Sequence, residues 1–428
     1  MEKSTVVNLA PRVRLTHVQT KRFKTAFAQV YVTTPLRREN YAAISVLQRV
    51  LQRGTVRLGD LTALQNEMDD MYGASLNSGE INFGESRSVF IGASYVDDDI
   101  VGDRTQTARV FALLGELITS PATDGGVFRA DYVETEKANV IQAERAVVIN
   151  KPTYASHEFN KRMFDTEEFG AYIIEDEVNA ITPENLYAQY RKWLGSAQID
   201  LVYCGASEIE DIEIAAKTAF ATLFDGVPPN ELYTQVLTEP PHGEPRVFEE
   251  SAPDAEQSVL LMGYRLGKTM LTLNYAALEM FSQILAGTAS SKLFRNVREK
   301  LHLCYSISAG HHINKGTMRV MTAIDGVNRD AVRAEILAQI DDMARGEITD
   351  EELQTAKRTY ITELQTLLES AGGIAVMHIN HMMRRGLSLS PEEFAGLVET
   401  VTREEVVEIA QSLVFDTEFF LSGKGGAQ

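Results

Sequence analysis

Gly287-Thr288-Ala289-Ser290-Ser291-Lys292-Leu293-Phe294-Arg295-Asn296-Val297-Arg298-Glu299-Lys300-Leu301-His302-Leu303-Cys304-Tyr305-Ser306 is the stretch on which the fold assignment turns. Small residues form a turn, a helix carrying Arg-Glu-Lys comes next, and the chain then runs extended through Tyr305. The opening Gly-Thr recurs at Gly54-Thr55, an offset of 233 residues. The same offset pairs Tyr31 with Tyr264, Tyr72 with Tyr305 and Ser75 with Ser308. Further along, the offset shortens to 220 and pairs Thr135 with Thr355, Lys137 with Lys357, Ile141 with Ile361, Thr182 with Thr402 and Glu184 with Glu404. Shared offsets over so many positions mark an internal duplication whose second copy has lost about a loop's length, and such repetition determines the architecture.

Each copy opens with an extended segment, residues 27–33 or 259–266, rich in the β-branched and aromatic residues that suit a pleated surface. A helix succeeds it over residues 38–53, where Ala43, Val46, Leu47, Val50 and Leu51 recur at helical spacing and Gly54 supplies the stop. Its counterpart spans 271–286 and ends at Gly287. Next come a second helix leading into a strand (61–76 and 291–308) and a further strand (88–95 and 318–323). Long helices start near Phe128 and near Thr349, the latter with Thr349 or Asp350 as N-cap ahead of Glu351 and Glu352. Each copy closes with Thr-x-Glu opening a short helix, at Thr182 and Thr402, and a final strand over 199–204 or 418–421. Between the copies, Pro228, Pro229, Pro240, Pro241 and Pro245 cluster with Gly226 and Gly243 and read as a linker. The expectation is an α+β chain of two homologous domains, each a mostly antiparallel sheet with helices packed on one side. Residues 1–225 form the first domain, 226–246 the linker and 247–428 the second domain.

Hydrophobic residues make up 44% and charged residues 24% of 428, the balance of a globular protein with sizeable cores. A formal charge of −19 argues against gripping nucleic acid or anionic lipid, both of which need clustered Lys and Arg, and would suit a cationic peptide. Residues 1–15 alternate polar and apolar side chains and include Arg12 and Arg14, which is unlike a signal peptide. No run approaches the ~18 apolar residues of a membrane span. Cys204 and Cys304, each in an apolar run, read as buried free thiols of a reducing compartment, so a cytoplasmic location is expected.

The duplication, the order of elements and the 287–306 segment together resemble the insulinase/pitrilysin-type zinc metallopeptidase family, in its bacterial, mitochondrial-processing-peptidase-like branch. The resemblance covers residues from about Val13 to Gly423 and implies that the two domains form half of a clamshell. Active relatives carry His-x-x-Glu-His on the helix that Gly54-Thr55 would end: two His hold zinc, and the Glu takes a proton from metal-bound water. Those three positions fall here on Ser45, Gln48 and Arg49. Serine is a poor zinc ligand, and the Gln48 amide lacks a carboxylate's basicity. Arg49 stays protonated and would repel a dication by roughly 4 kcal/mol per unit charge at ~4 Å and an effective dielectric of ~20. The family's third ligand, a Glu on a later helix, corresponds to Glu134 or Glu136, of which Glu134 is taken as the degenerate-site position.

By the same resemblance, Arg298 and Tyr305 match residues that hold substrate and support the developing oxyanion. Read without it, they are a surface charge and core filler. His378 and His381 lie three apart near Met377, Met382 and Met383 with no carboxylate to complete a ligand set, and read as a packed helix face. His311 and His312, adjacent on a strand, point to opposite faces. Gly372-Gly373 is a helix break or hinge, as is the corresponding Lys151-Pro152, and not a phosphate loop. The resemblance thus implies a non-catalytic subunit, inactive as a peptidase by itself, that completes the peptide chamber of a heterodimer. It would supply Arg298 and Tyr305 to a peptide or unfolded polypeptide held by a zinc-bearing homologous partner. No cofactor is expected in this chain, the zinc belonging to the partner. The alternatives are a stand-alone peptide-binding or scaffolding homodimer without proteolysis, and a residual zinc peptidase with other ligands.

Overall fold

The structure, a computed structural model, describes residues 3–102, 104–225, 239–266, 274–385 and 389–424. Among the described residues thirteen strands run in chain order: β1 (Lys3–Ala10), β2 (Val13–Gln19), β3 (Thr25–Pro35), β4 (Ser75–Phe83), β5 (Ser86–Val96), β6 (Thr123–Asp124), β7 (Val127–Phe128), β8 (Gln198–Gly205), β9 (Arg246–Ser251), β10 (Ser258–Arg265), β11 (Cys304–His312), β12 (Thr317–Ile324) and β13 (Val414–Ser422). One sheet has the order β1-β2-β8-β3-β5-β4 and the other β11-β12-β10-β13-β9, while β6 and β7 make a small separate hairpin. The larger sheets are mostly antiparallel, with one parallel pairing each, β2 with β8 and β9 with β13. Reversing the second order places β10 where β3 stands and β13 where β8 stands, so the duplication seen in sequence is a duplication of sheet topology. The chain is α+β with two homologous domains.

Two compact units divide the described residues. The first lies within Met1–Glu144, Ala171–Gln235 and Leu367–Ser390, and the second within Arg145–Gly170, Val236–Thr366 and Pro391–Gln428. Each half of the sequence therefore lends the other one helix. In the first unit, Val30, Val32, Ile91 and Leu201 face a core with Val46, Leu47, Leu114 and Trp193, which belong to helices of the same half. On the opposite face, Phe27, Tyr31, Val202 and Cys204 pack against Ala371, Ile374, Ile379 and Met383 of the lent helix Ala371–Arg385. In the second unit, Val259, Leu261, Phe419 and Leu421 pack against Ala155, Phe159 and Met163 of the lent helix Lys151–Met163. The two lent helices start 220 residues apart, the offset already read from the repeat.

The helix Lys151–Met163 fits because Gly263 leaves room for it: a Cβ there would lie 2.5 Å from Phe159 Cζ and 2.8 Å from Met163 Sδ. Buried charges fasten the C-terminal end of this helix and the turn after it. Arg265 pairs with Glu167 at 3.0 Å and Asp416 at 3.3 Å, fully buried Lys315 pairs with Glu167, and Arg265 Nη2 donates to the Met163 carbonyl at 2.8 Å. Such charges are tolerated only when paired.

Of the expected linker 226–246, residues 226–238 lie outside the described residues, as do the first positions of the expected helix 271–286. That helix runs Tyr275–Ser282 and widens into a looser turn over Gln283–Gly287. Its first-half counterpart is Tyr41–Val50, preceded by a tight turn at Arg38–Asn40. Cys204 and Cys304 are both buried. Among the described residues no helix is long and apolar enough to cross a membrane. Phe159 is 1% exposed between the lent helix and β10. Phe159→Ala is expected to cost about 3–5 kcal/mol, read as a lower urea midpoint for the transition of the second unit.

Candidate functional site

The helix Tyr41–Val50 buries Ala42, Ile44, Val46, Leu47 and Val50. Ser45 and Gln48, one turn apart, are buried too and look onto β4, whose Ser78 and Glu80 share a face by strand alternation. Ser45 Oγ donates to Glu80 Oε1 at 2.9 Å and accepts from Arg87 Nη2 at 2.8 Å. Arg87, on β5, also forms an ion pair with Glu80, donates to the Tyr41 carbonyl at 3.0 Å, and lies 3.6 Å from the centre of the Tyr41 ring. Its side chain is 3% exposed. Beside this cluster, Gln48 Nε2 donates to Ser78 Oγ at 3.3 Å, Ser78 Oγ donates to Gln52 Oε1 at 2.5 Å, and Gln52 Nε2 donates back to the Gln48 carbonyl at 2.8 Å.

The two carboxylates of the later helix, Ala130–Val147, part company. Glu136, 6% exposed, forms an ion pair with Arg53 and accepts from Asn139 Nδ2 at 2.9 Å. Glu134, 64% exposed, pairs with Lys137 at 2.9 Å. The Glu that joins the Ser45/Gln48 groove is therefore Glu136, and the assignment of Glu134 to the degenerate site is corrected. Residues 134 and 136 stand about 200° apart around a helix, so only one can face inward, and Val133, Lys137 and Val140 turn the Glu136 side toward the protein. Gln48, Arg49, Gln52, Arg53, Glu80 and Glu136 line an open depression of 430 Å³. Arg49 is half-buried there and makes no hydrogen bond or ion pair among the described residues.

These groups do not fit zinc. Ser45 is engaged with Arg87 and Glu80, the Gln48 amide is no base, and Glu136 is neutralised by Arg53. Arg49 and Arg87 add positive charge where a dication would need negative ligands. Among the described residues no three His, Cys, Asp or Glu side chains come together as a metal-holding group. The sequence reading missed Glu80 and Arg87. A single charged residue of opposite sign on each of two neighbouring strands was the available signal.

Arg298 is exposed on the helical turn Phe294–Lys300, its guanidinium 4.6 Å from the centre of the Phe294 ring. Tyr305 is 52% exposed on β11, the edge strand of its sheet, and its hydroxyl donates to Asp325 Oδ1 at 3.3 Å. The Asp325 charge pushes the Tyr305 phenol up. Tyr305 is thus a surface group and not core filler. Next to it, burial pushes the Cys304 thiol up. His378 and His381 are buried in the lent helix. His311 reaches Glu279 at 3.2 Å while His312 stacks edge-on against Phe169, so the adjacent pair diverges.

Residues 180–360 match the family described as the peptidase M16 inactive domain. The chain is 27% identical over 416 residues, 96% of each protein, to a probable inactive metalloprotease, YmfF, of Bacillus subtilis (strain 168). A solved conserved protein of Enterococcus faecalis V583 is similar at a TM-score of 0.86 and 26% identity, covering 99% of this chain and all of that one. The peptidase M16 inactive domain of Pseudomonas fluorescens shares the fold at a TM-score of 0.81 and 18% identity, covering 100% and 99%.

Removing Arg87 strands Glu80 and uncaps the Tyr41 carbonyl. Because Glu80 keeps about a third of its exposure, Arg87→Leu is expected to cost about 2 kcal/mol, less than a fully buried pair. Urea unfolding of the first unit, compared with Ser45→Ala at under about 1 kcal/mol, checks this ordering.

Proposed function

This chain is a catalytically degenerate member of the insulinase/pitrilysin-type (M16) metallopeptidase family, and from that premise we propose that it is the non-catalytic subunit of a zinc-peptidase-like heterodimer. One observation carries the reading. Ser45 and Gln48 are absorbed into hydrogen bonds within the protein, whereas Arg298 and Tyr305 stay exposed, the Tyr305 hydroxyl meeting only the exposed contact with Asp325. A chain that has lost the means to activate water but still presents a cation and a hydroxyl can hold a substrate backbone without cutting it. The partner supplies the zinc and the general base, and this chain supplies Arg298 and Tyr305 to the bound peptide or unfolded polypeptide. Among the described residues, β4 pairs on one side only, with β5, and its other edge borders the degenerate groove. An extended peptide can add there through main-chain hydrogen bonds.

Co-purification with a homologue carrying His-x-x-Glu-His, encoded beside this chain, tests the proposal. Cleavage of an unfolded polypeptide should require both proteins. In the complex, Arg298→Ala and Tyr305→Phe should each lower kcat/KM at least about tenfold. Rates untouched by both changes would remove the assigned role. A pure chain that dimerises with itself and holds peptide, with no such partner, would replace the heterodimer by a binding homodimer.

A further inference from the structure

We infer that the groove at the degenerate motif is a carboxylate-binding site in which Arg49 is the cation and a peptide carboxylate the ligand. The inference rests on the peptide-holding part of the proposed function. Charge accounting over the depression and the Arg87 side chain that pairs with its Glu80 leads to it. Arg53 is matched by Glu136 and Arg87 by Glu80, each in a close ion pair. Arg49 lines the same depression, is half-buried, and has no partner among the described residues. It occupies the last turn of the helix Tyr41–Val50, whose negative dipole end offsets only part of its charge.

The groove therefore carries one unmatched positive charge, although the chain as a whole carries −19. Distant acidic groups are screened over about 8 Å at physiological salt, so the local charge decides what the groove attracts. A guanidinium offers a planar fork of donors that matches a carboxylate with two parallel hydrogen bonds. An extended peptide along the free edge of β4 brings such a group in either of two ways, by its C-terminus or by an Asp or Glu side chain. A wholly cationic peptide, which net charge alone would favour, is disfavoured at this spot.

Fluorescence anisotropy on the full chain separates the possibilities. The probes are one labelled, otherwise neutral extended peptide in three forms: free C-terminal acid, C-terminal amide, and amide with a single internal Glu. At least one carboxylate form should bind roughly tenfold or more tighter than the plain amide, and which form does so identifies the source. Arg49→Gln should abolish that preference while the far-ultraviolet circular dichroism and unfolding midpoint stay unchanged. Acid and amide binding alike, or a preference that survives Arg49→Gln, would overturn the carboxylate site and leave peptide holding intact. Binding of none of the three forms would overturn both.

Discussion

Arg87 is the constraint around which the first unit's groove is organised. A guanidinium this deeply buried must be matched by charge and hydrogen bonds or it costs several kcal/mol. The match comes from three places: the Glu80 carboxylate on β4, the Ser45 hydroxyl and the Tyr41 carbonyl, with the Tyr41 ring beneath. These contacts tie the helix Tyr41–Val50 to the sheet edge. Where family members place a dication among two His and a carboxylate, this chain places cations of its own and pairs two of them with Glu80 and Glu136. The site is a folded polar network held together by its own charges.

The helix that brings Glu136 into this network is followed in the chain by the one that builds the other unit. Ala130–Val147 starts beside the groove and leads into Lys151–Met163, which covers the second sheet. Its repeat counterpart, Asp350–Leu367, leads into Ala371–Arg385, which covers the first sheet. Each sheet thus has helices of its own half on one face and a lent helix on the other. Neither half can close its core alone, since Phe27 and Val202 on one sheet and Val259 and Phe419 on the other would be left facing water. A duplication in sequence has become a reciprocal dependence in structure.

Much of this was legible in the residues. The offset of 233 carries the start of β3 onto the start of β10, and the offset of 220 carries both later helices onto their counterparts, because equivalent hydrophobic and capping patterns produce equivalent elements. Thr182 and Thr402 each open a short helix, as Thr-x-Glu suggested, and each forms a capping box with the residue three further on, Asn185 or Glu405. The identity of Ser45, Gln48 and Arg49 sufficed to doubt a zinc site. Three features were out of reach. Apolar spacing shows that residues 371–385 form an amphipathic helix but not which sheet receives it. Choosing Glu136 over Glu134 needs the helix rotation, set by Val133 and Val140. Glu80 and Arg87 are distant in sequence from Ser45, and only the pairing of β4 with β5 brings them together.

That the chain's own charges exclude zinc from the groove is tested most directly by metal content. The purified chain would be equilibrated with a modest excess of zinc, dialysed against metal-free buffer and subjected to elemental analysis. Paired and unpaired arginines at the motif predict that no stoichiometric zinc is retained. Retention of one zinc per chain, lost when Glu136 is replaced by Gln, would contradict them.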